Sequence, residues 1–117
     1  MSAAIYNATI DQGATFTLEV TYKNSAGAPI NLTGYTAALQ VRQNYYDDTA
    51  LVSLTSPSNG IVITGATGTI NITMSSAQTG SLDEGIYVYD LEINSGGGTI
   101  TRLIQGQFTV SPEVTRV

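Results

Sequence analysis

The chain has 117 residues, which suits one domain built around a single hydrophobic core. It contains no Cys, so disulfides and thiolate metal sites are excluded, and its net charge of −5 argues against a nucleic-acid partner. No stretch approaches the roughly 18 apolar residues of a membrane helix, and the N-terminus lacks a signal-peptide pattern, so we expect a soluble chain without a membrane partner.

Short runs of alternating apolar and polar residues, separated by turn residues, predict strands in the first half of the chain. The second of these runs places Phe16, Leu18 and Val20 on one face, which indicates a strand with one buried side. The predicted strands are Ala4 to Ile10, Thr15 to Tyr22, a short edge from Pro29 to Leu32, and Tyr35 to Arg42, with an exposed loop at residues 43–49.

The second half continues the same pattern and ends in two long strands. A Gly-rich turn joins the last two strands into the longest hairpin of the chain, and one helical turn is predicted within Ser75 to Leu82. The predicted strands are Leu51 to Leu54, Ile61 to Ile63, Ile70 to Met74, Ile86 to Ile93 and Ile100 to Val110.

Asp83, Gly85 and Tyr87 have the spacing of the corner found in immunoglobulin-like sandwiches, where a Tyr hydroxyl bonds the preceding backbone. Tyr89 falls where antibody domains carry their second Cys, so we expect an aromatic plug there. The predicted fold is therefore an all-β, antiparallel immunoglobulin-like β-sandwich of about seven to nine strands. It should span residues 1–111, with residues 112–117 forming an extended C-terminal arm.

Four segments of the chain also carry a family resemblance, and together they cover much of its length. They are Asp11–Leu18, Gly27–Thr36, Gly85–Leu91 and Gly106–Thr115. The sequence resembles small virion proteins of tailed bacteriophages, and is similar to the N-terminal domain of upper baseplate proteins. The matched residues are turn and core residues, so the resemblance implies a fold and a virion location and carries over no binding or catalytic site.

The residues that usually carry catalysis are scarce. Without His or Cys, the common general base and the thiol nucleophile are missing, so the chain is predicted not to be an enzyme and to need no cofactor or metal. Asp47–Asp48 and Asp83–Glu84 are adjacent in sequence, and adjacent residues of a strand would point to opposite faces. Both pairs also lie in predicted loops, so they are interpreted as acids solvated by water. A calcium site that uses Asp47, Asp48 and loop carbonyls stays open as an alternative.

Two segments are candidate interfaces. Tyr45 and Tyr46, followed by Asp47, place two aromatic rings in a polar loop, where they suit an interface better than a core. The alternative is that one ring caps the end of the sandwich. The C-terminal arm could add a strand to a neighbouring sheet, and its candidate contact residues are Pro112, Val114 and Arg116.

These observations leave three functions open. The first is a non-enzymatic structural protein of the phage virion, an adaptor in the tail or baseplate whose partners are other virion proteins in a symmetric oligomer. The second is a capsid decoration protein that clamps shell subunits. The third is a module that binds host-surface glycans through the 43–49 loop.

Overall fold

The computed structural model describes residues 4–114, which form an all-β fold of two packed sheets. In chain order the strands are β1 (Ala4–Ile5), β2 (Ala8–Asp11), β3 (Phe16–Thr21), β4 (Thr36–Arg42), β5 (Val52–Thr55), β6 (Ile61–Thr64), β7 (Thr69–Met74), β8 (Gly85–Asn94) and β9 (Ile100–Ser111). A 3-10 turn (Gly65–Thr67) lies between β6 and β7, and a short helix, α1 (Ser76–Gly80), follows β7.

The larger sheet has six strands and the smaller sheet has three. The larger sheet is ordered β1-β9-β8-β4-β5, with β2 also paired to β9, and the smaller is ordered β3-β7-β6. The β1 and β2 pairings to β9 are parallel, whereas the other strand pairs are antiparallel. The core lies between the sheets, where alternate residues of β4, of β8 from Tyr87 and of β9 from Ile104 are buried.

Most predicted strands occur within one or two residues of their expected bounds, and two segments differ. The run Ala4 to Ile10 is divided into β1 and β2, because Tyr6 and Asn7 between them are not part of a strand, although the register against β9 is the same on both sides. Pro29 to Leu32 is not a strand. Within this segment, only Pro29 pairs with another residue as an isolated β-bridge, and its partner is Lys23. The N–H of the buried Leu32 donates to the Gly65 carbonyl at 2.8 Å.

The corner before β8 contains the hydrogen bond that its sequence predicts. The Tyr87 hydroxyl donates to the Asp83 carbonyl at 2.6 Å, and the Tyr87 ring is buried. Gly85 has φ of +147°, a region that L side chains rarely adopt, so a glycine is required between the two. Burial raises the pKa of the Tyr87 phenol, and the nearby Asp83 carboxylate adds to the increase.

Tyr89 is the aromatic plug, and it also holds the N-terminal segment. Its ring stacks on Phe108 with centroids 3.9 Å apart and planes 2° from parallel. Its hydroxyl donates to the Tyr6 carbonyl at 2.6 Å. The Tyr6 N–H donates to the Gln105 carbonyl at 2.9 Å, so the segment between β1 and β2 is hydrogen-bonded to both β8 and β9.

The turn between β2 and β3 is fastened to α1 and to the end of β9. The Thr79 hydroxyl, fully buried, donates to the Ala14 carbonyl at 2.8 Å and accepts the Gly13 N–H. The Gln12 side chain donates to the Leu82 carbonyl and accepts the Glu113 N–H at 3.0 Å. The first residues after β9 therefore stay against the sandwich.

Replacing Gly106 with Ala is expected to destabilise the domain. A Cβ at this position would overlap the Tyr6 carbonyl and the Asn7 side chain, because the segment between β1 and β2 lies directly against the backbone of β9 here. The cost of such overpacking is about 1–3 kcal/mol in the free energy of unfolding, measured by urea denaturation. Gly97→Ala is the matched control, because its Cβ would meet nothing closer than 3.8 Å. Equal stability of the two variants would contradict the close approach.

Alkaline pH is expected to weaken the domain through Tyr89. Burial, with a smaller contribution from Tyr6, raises the pKa of Tyr89 from its ordinary 10.0 to about 12. Because the folded state favours the neutral phenol, its contribution to stability is complete below pH 10 and declines as the pH rises from about 10 to about 12. Urea unfolding at several pH values measures this decline. Tyr89→Phe should show a shallower decline, and an unchanged one would contradict the assignment.

Candidate protein-binding surface

The outer faces of the two sheets differ in character. The smaller sheet exposes mostly Thr on its outer face, and within residues 4–114 the large apolar side chain exposed there is Val62. The larger sheet exposes Ile86 and Ile100, which are 59% and 62% exposed, and Ile5 at its β1 edge. Ile86 and Ile100 lie at opposite ends of the β8–β9 pairing, so a partner that contacts both would span the length of this face.

A shallow groove of about 370 Å³ runs across this outer face. It crosses β4, β8 and β9, whose registers place Gln40 beside Asp90 and Asp90 beside Gln105. Tyr45 forms one border of the groove. The other lining residues are Ala38, Gln40, Arg42, Val88, Tyr89, Asp90, Glu92, Arg102 and Gln105.

Arg42 connects the groove to the loop that carries Tyr45. It ends β4 on the outer face, where its guanidinium donates to the Asp47 carbonyl at 2.7 Å and to the Gln40 side chain at 2.7 Å. The Asn44 side chain accepts the Tyr46 N–H at 3.0 Å, which closes the turn that contains both tyrosines. The backbone of the loop is thus tied to the sheet, and the Tyr45 side chain is exposed on it, so less of the loop has to be ordered on binding.

Charges within the groove are balanced, although the chain as a whole is acidic. Arg102 and Asp90 form a salt bridge of 3.3 Å between partly exposed side chains. Arg42 and Glu92 add one further charge of each sign to the groove. A partner would therefore meet a nearly neutral surface with one aromatic side chain, which resembles the centre of a protein interface more than an electrostatic docking site.

The structure places the predicted interface residues differently from one another. Tyr45 is 72% exposed and borders the groove, whereas Tyr46 is 92% exposed and lies outside the groove lining. Asp47 contributes its backbone carbonyl, which accepts the hydrogen bond from Arg42. Neither ring caps the end of the core, so the alternative that one of them does is wrong.

The predicted C-terminal arm is only partly described. Pro112 is exposed, Glu113 is held by Gln12, and Val114 is 92% exposed. Arg116 lies outside the described residues, as do Met1 to Ala3. Residues 112–114 do not line the groove.

Sequence reasoning missed the strand residues of the groove, among them Gln40, Val88 and Arg102. Each occupies an alternate, outward position on its strand, a signal that is visible in the sequence. Which of these positions lie side by side depends on the pairing of β4 with β8 and of β8 with β9, and β9 contains an irregularity in register after its pairing with Leu91.

The described part of the chain holds no group of three or more potential metal-ligating side chains, and Asp83 contributes its backbone carbonyl to the Tyr87 corner. In the same part of the chain, no helix is both long and apolar enough to cross a membrane.

Comparison with known proteins leaves the surface to be interpreted from its own chemistry. No protein-family model matches the sequence, and a comparison with curated proteins finds no match.

Proposed function

We propose that this chain is an immunoglobulin-like domain that binds other proteins through the outer face of its larger sheet and is not an enzyme. The strand order supports the immunoglobulin-like interpretation. With β3, β7 and β6 in one sheet and β5, β4, β8 and β9 in the other, the strands follow the B-E-D and C′-C-F-G arrangement of such domains. The Tyr87 corner at the start of β8 lies where the tyrosine corner of strand F is found.

The observation that carries the binding proposal is the contrast between the two outer faces. Exposed Ile side chains, an exposed Tyr and a balanced set of groove charges occur on the larger sheet, opposite a Thr-rich face on the smaller. Tyr45 would act as the main anchor, because an aromatic side chain with few rotatable bonds can be desolvated at low entropic cost. The partner would cover the groove and the adjoining Ile side chains.

The resemblance to phage proteins supplies the proposed setting. In the proposed setting, the chain is an adaptor in the tail or baseplate of a tailed bacteriophage, and the symmetry of the particle repeats its contact with other virion proteins. Multiple copies then give a durable assembly even when each contact is modest. A capsid decoration protein would use the same surface to clamp shell subunits, and the copy number separates the two.

A glycan-binding role is the second candidate, and one observation favours it. Tyr45 stands beside planar polar groups, among them Gln40, Gln105 and Arg102, that could donate or accept hydrogen bonds to sugar hydroxyls while the ring stacks on a sugar face. The apolar Ile side chains outside the groove favour a protein partner instead, because a bound oligosaccharide would leave them exposed.

Tyr45→Ser is expected to reduce the number of copies of this chain held by phage particles. Loss of a main anchor costs about 2 kcal/mol of binding free energy or more, which corresponds to roughly a 30-fold loss of affinity. Quantitative mass spectrometry of purified particles measures the copies. Val62→Thr is the matched control, because it removes exposed apolar surface from the opposite face. Full incorporation of the Tyr45 variant would remove the proposed anchor, and binding of the unaltered chain to purified host polysaccharide would favour the glycan role.

A stepwise dissociation of virions into heads and tails is expected to place the chain in the tail fraction. The tail and baseplate are built on three- and six-fold symmetry, so its copy number should be low and a multiple of three. Counting the copies in each fraction by mass spectrometry checks this. Hundreds of copies on heads would favour the decoration role, and absence from both fractions would contradict the virion proposal.

A further inference from the structure

Within residues 4–114, the strand β3 has a partner strand along one side only. It pairs with β7 from Phe16 to Thr21. The Tyr22 N–H donates to the Gly68 carbonyl on the β7 side, so the even-numbered residues of this stretch direct their N–H and C=O groups toward β7. The odd-numbered residues direct theirs away from the sheet. They are Thr17, Glu19, Thr21 and Lys23, whose backbone groups have no backbone partner within residues 4–114.

The apolar side chains of β3 are also less covered than those of its neighbour. Phe16, Leu18 and Val20 face the core but remain partly exposed. Their cross-strand partners Met74, Ile72 and Ile70 are fully buried. The same layer of side chains is thus sealed over β7 and partly open over β3, as expected for a strand at the edge of its sheet.

We propose that the open edge of β3 pairs with the β3 edge of a second copy of this chain. The two strands would run antiparallel about a two-fold axis at Thr21. The two three-stranded sheets would then join into one continuous sheet across the dimer. This inference goes beyond the proposed function and leaves the outer face of the larger sheet free for another partner.

The charges on β3 favour this register. With Thr21 opposite its own copy, Glu19 of each chain lies opposite Lys23 of the other, and both side chains are exposed on the same outer face. The two-fold axis therefore produces two cross-strand ion pairs. An axis at Glu19 would instead place two carboxylates opposite each other, which is unfavourable.

The inner face suits the same register. Val20 of one copy would lie opposite Tyr22 of the other, and both are partly exposed in the single chain. The polar turn after Tyr22 leaves the edge accessible. Its backbone bonds, from the Asn24 N–H to the Ala28 carbonyl and from the Ile30 N–H to the Tyr22 carbonyl, lie on the β7 side.

Sedimentation equilibrium of the full chain, from micromolar to near-millimolar concentration, tests the dimer and its register. We expect a concentration-dependent dimer. Glu19→Lys and Lys23→Glu should each weaken dimerisation by about tenfold or more, because like charges replace both ion pairs. The double variant with both substitutions exchanges the charges and should restore it. Asp48→Lys is the matched control, a charge reversal in the exposed 43–49 loop.

A second measurement uses the fact that Lys23 is the one lysine of the sequence. A zero-length carbodiimide cross-linker should join the Lys23 amine to the Glu19 carboxylate of the other copy, and peptide mass spectrometry of the dimer band identifies the link. Glu19→Gln should abolish it. Circular dichroism confirms that each variant is folded.

Three results would overturn the proposal. They are a monomer at all concentrations, a dimer that no β3 charge reversal affects, and a cross-linked dimer whose link lies elsewhere. A monomer would leave the edge to a strand of a different protein. Because the variants do not alter Tyr45 or the groove, their failure would not bear on the proposed function, which depends on copy number in particles.

Discussion

The hydrogen bonding of β9 on both of its sides is the constraint on which the two-sheet arrangement depends. Along one side β9 pairs with β8 over nearly its whole length, and along the other it accepts β1 and β2 as parallel partners. A buried strand cannot leave its backbone groups without partners at acceptable cost. The N-terminal segment satisfies this requirement, and the absence of a side chain at Gly106 allows the segment at Tyr6 to lie directly against β9.

Because β1 and β2 pair with β9, the N-terminal segment extends the larger sheet and not the smaller one. The larger sheet gains width from β1 and β2, beside the part of its outer face that carries the groove across β4, β8 and β9. Within residues 4–114, the smaller sheet receives no strand beside β3, which leaves one edge open and the apolar side chains behind it half covered.

The two surfaces would recognise partners by different physics. The outer face offers side chains, with Tyr45 held at the border of the groove through the contact between Arg42 and the Asp47 carbonyl. The β3 edge offers backbone groups, and its side chains decide only the register. A domain with one surface of each kind can pair with itself and still bind a different protein, which is a useful property in a symmetric assembly.

Sequence alone determined the features that depend on local chemistry. Alternation over Phe16 to Tyr22 identifies a strand and its buried face, because side chains alternate along any strand. Ile86 to Ile93 could be predicted as a strand from its β-forming residues. The Tyr87 corner could be predicted because its hydrogen bond spans only four residues. Tyr45 could be predicted as exposed because it lies in a polar loop.

Tertiary structure alone decided the rest. The partner of the N-terminal segment lies 100 residues away, at the contact of Asn7 with Gln107. The neighbours in the groove and the open side of β3 follow from strand pairing, which local sequence does not encode because any alternating strand can pair with several others.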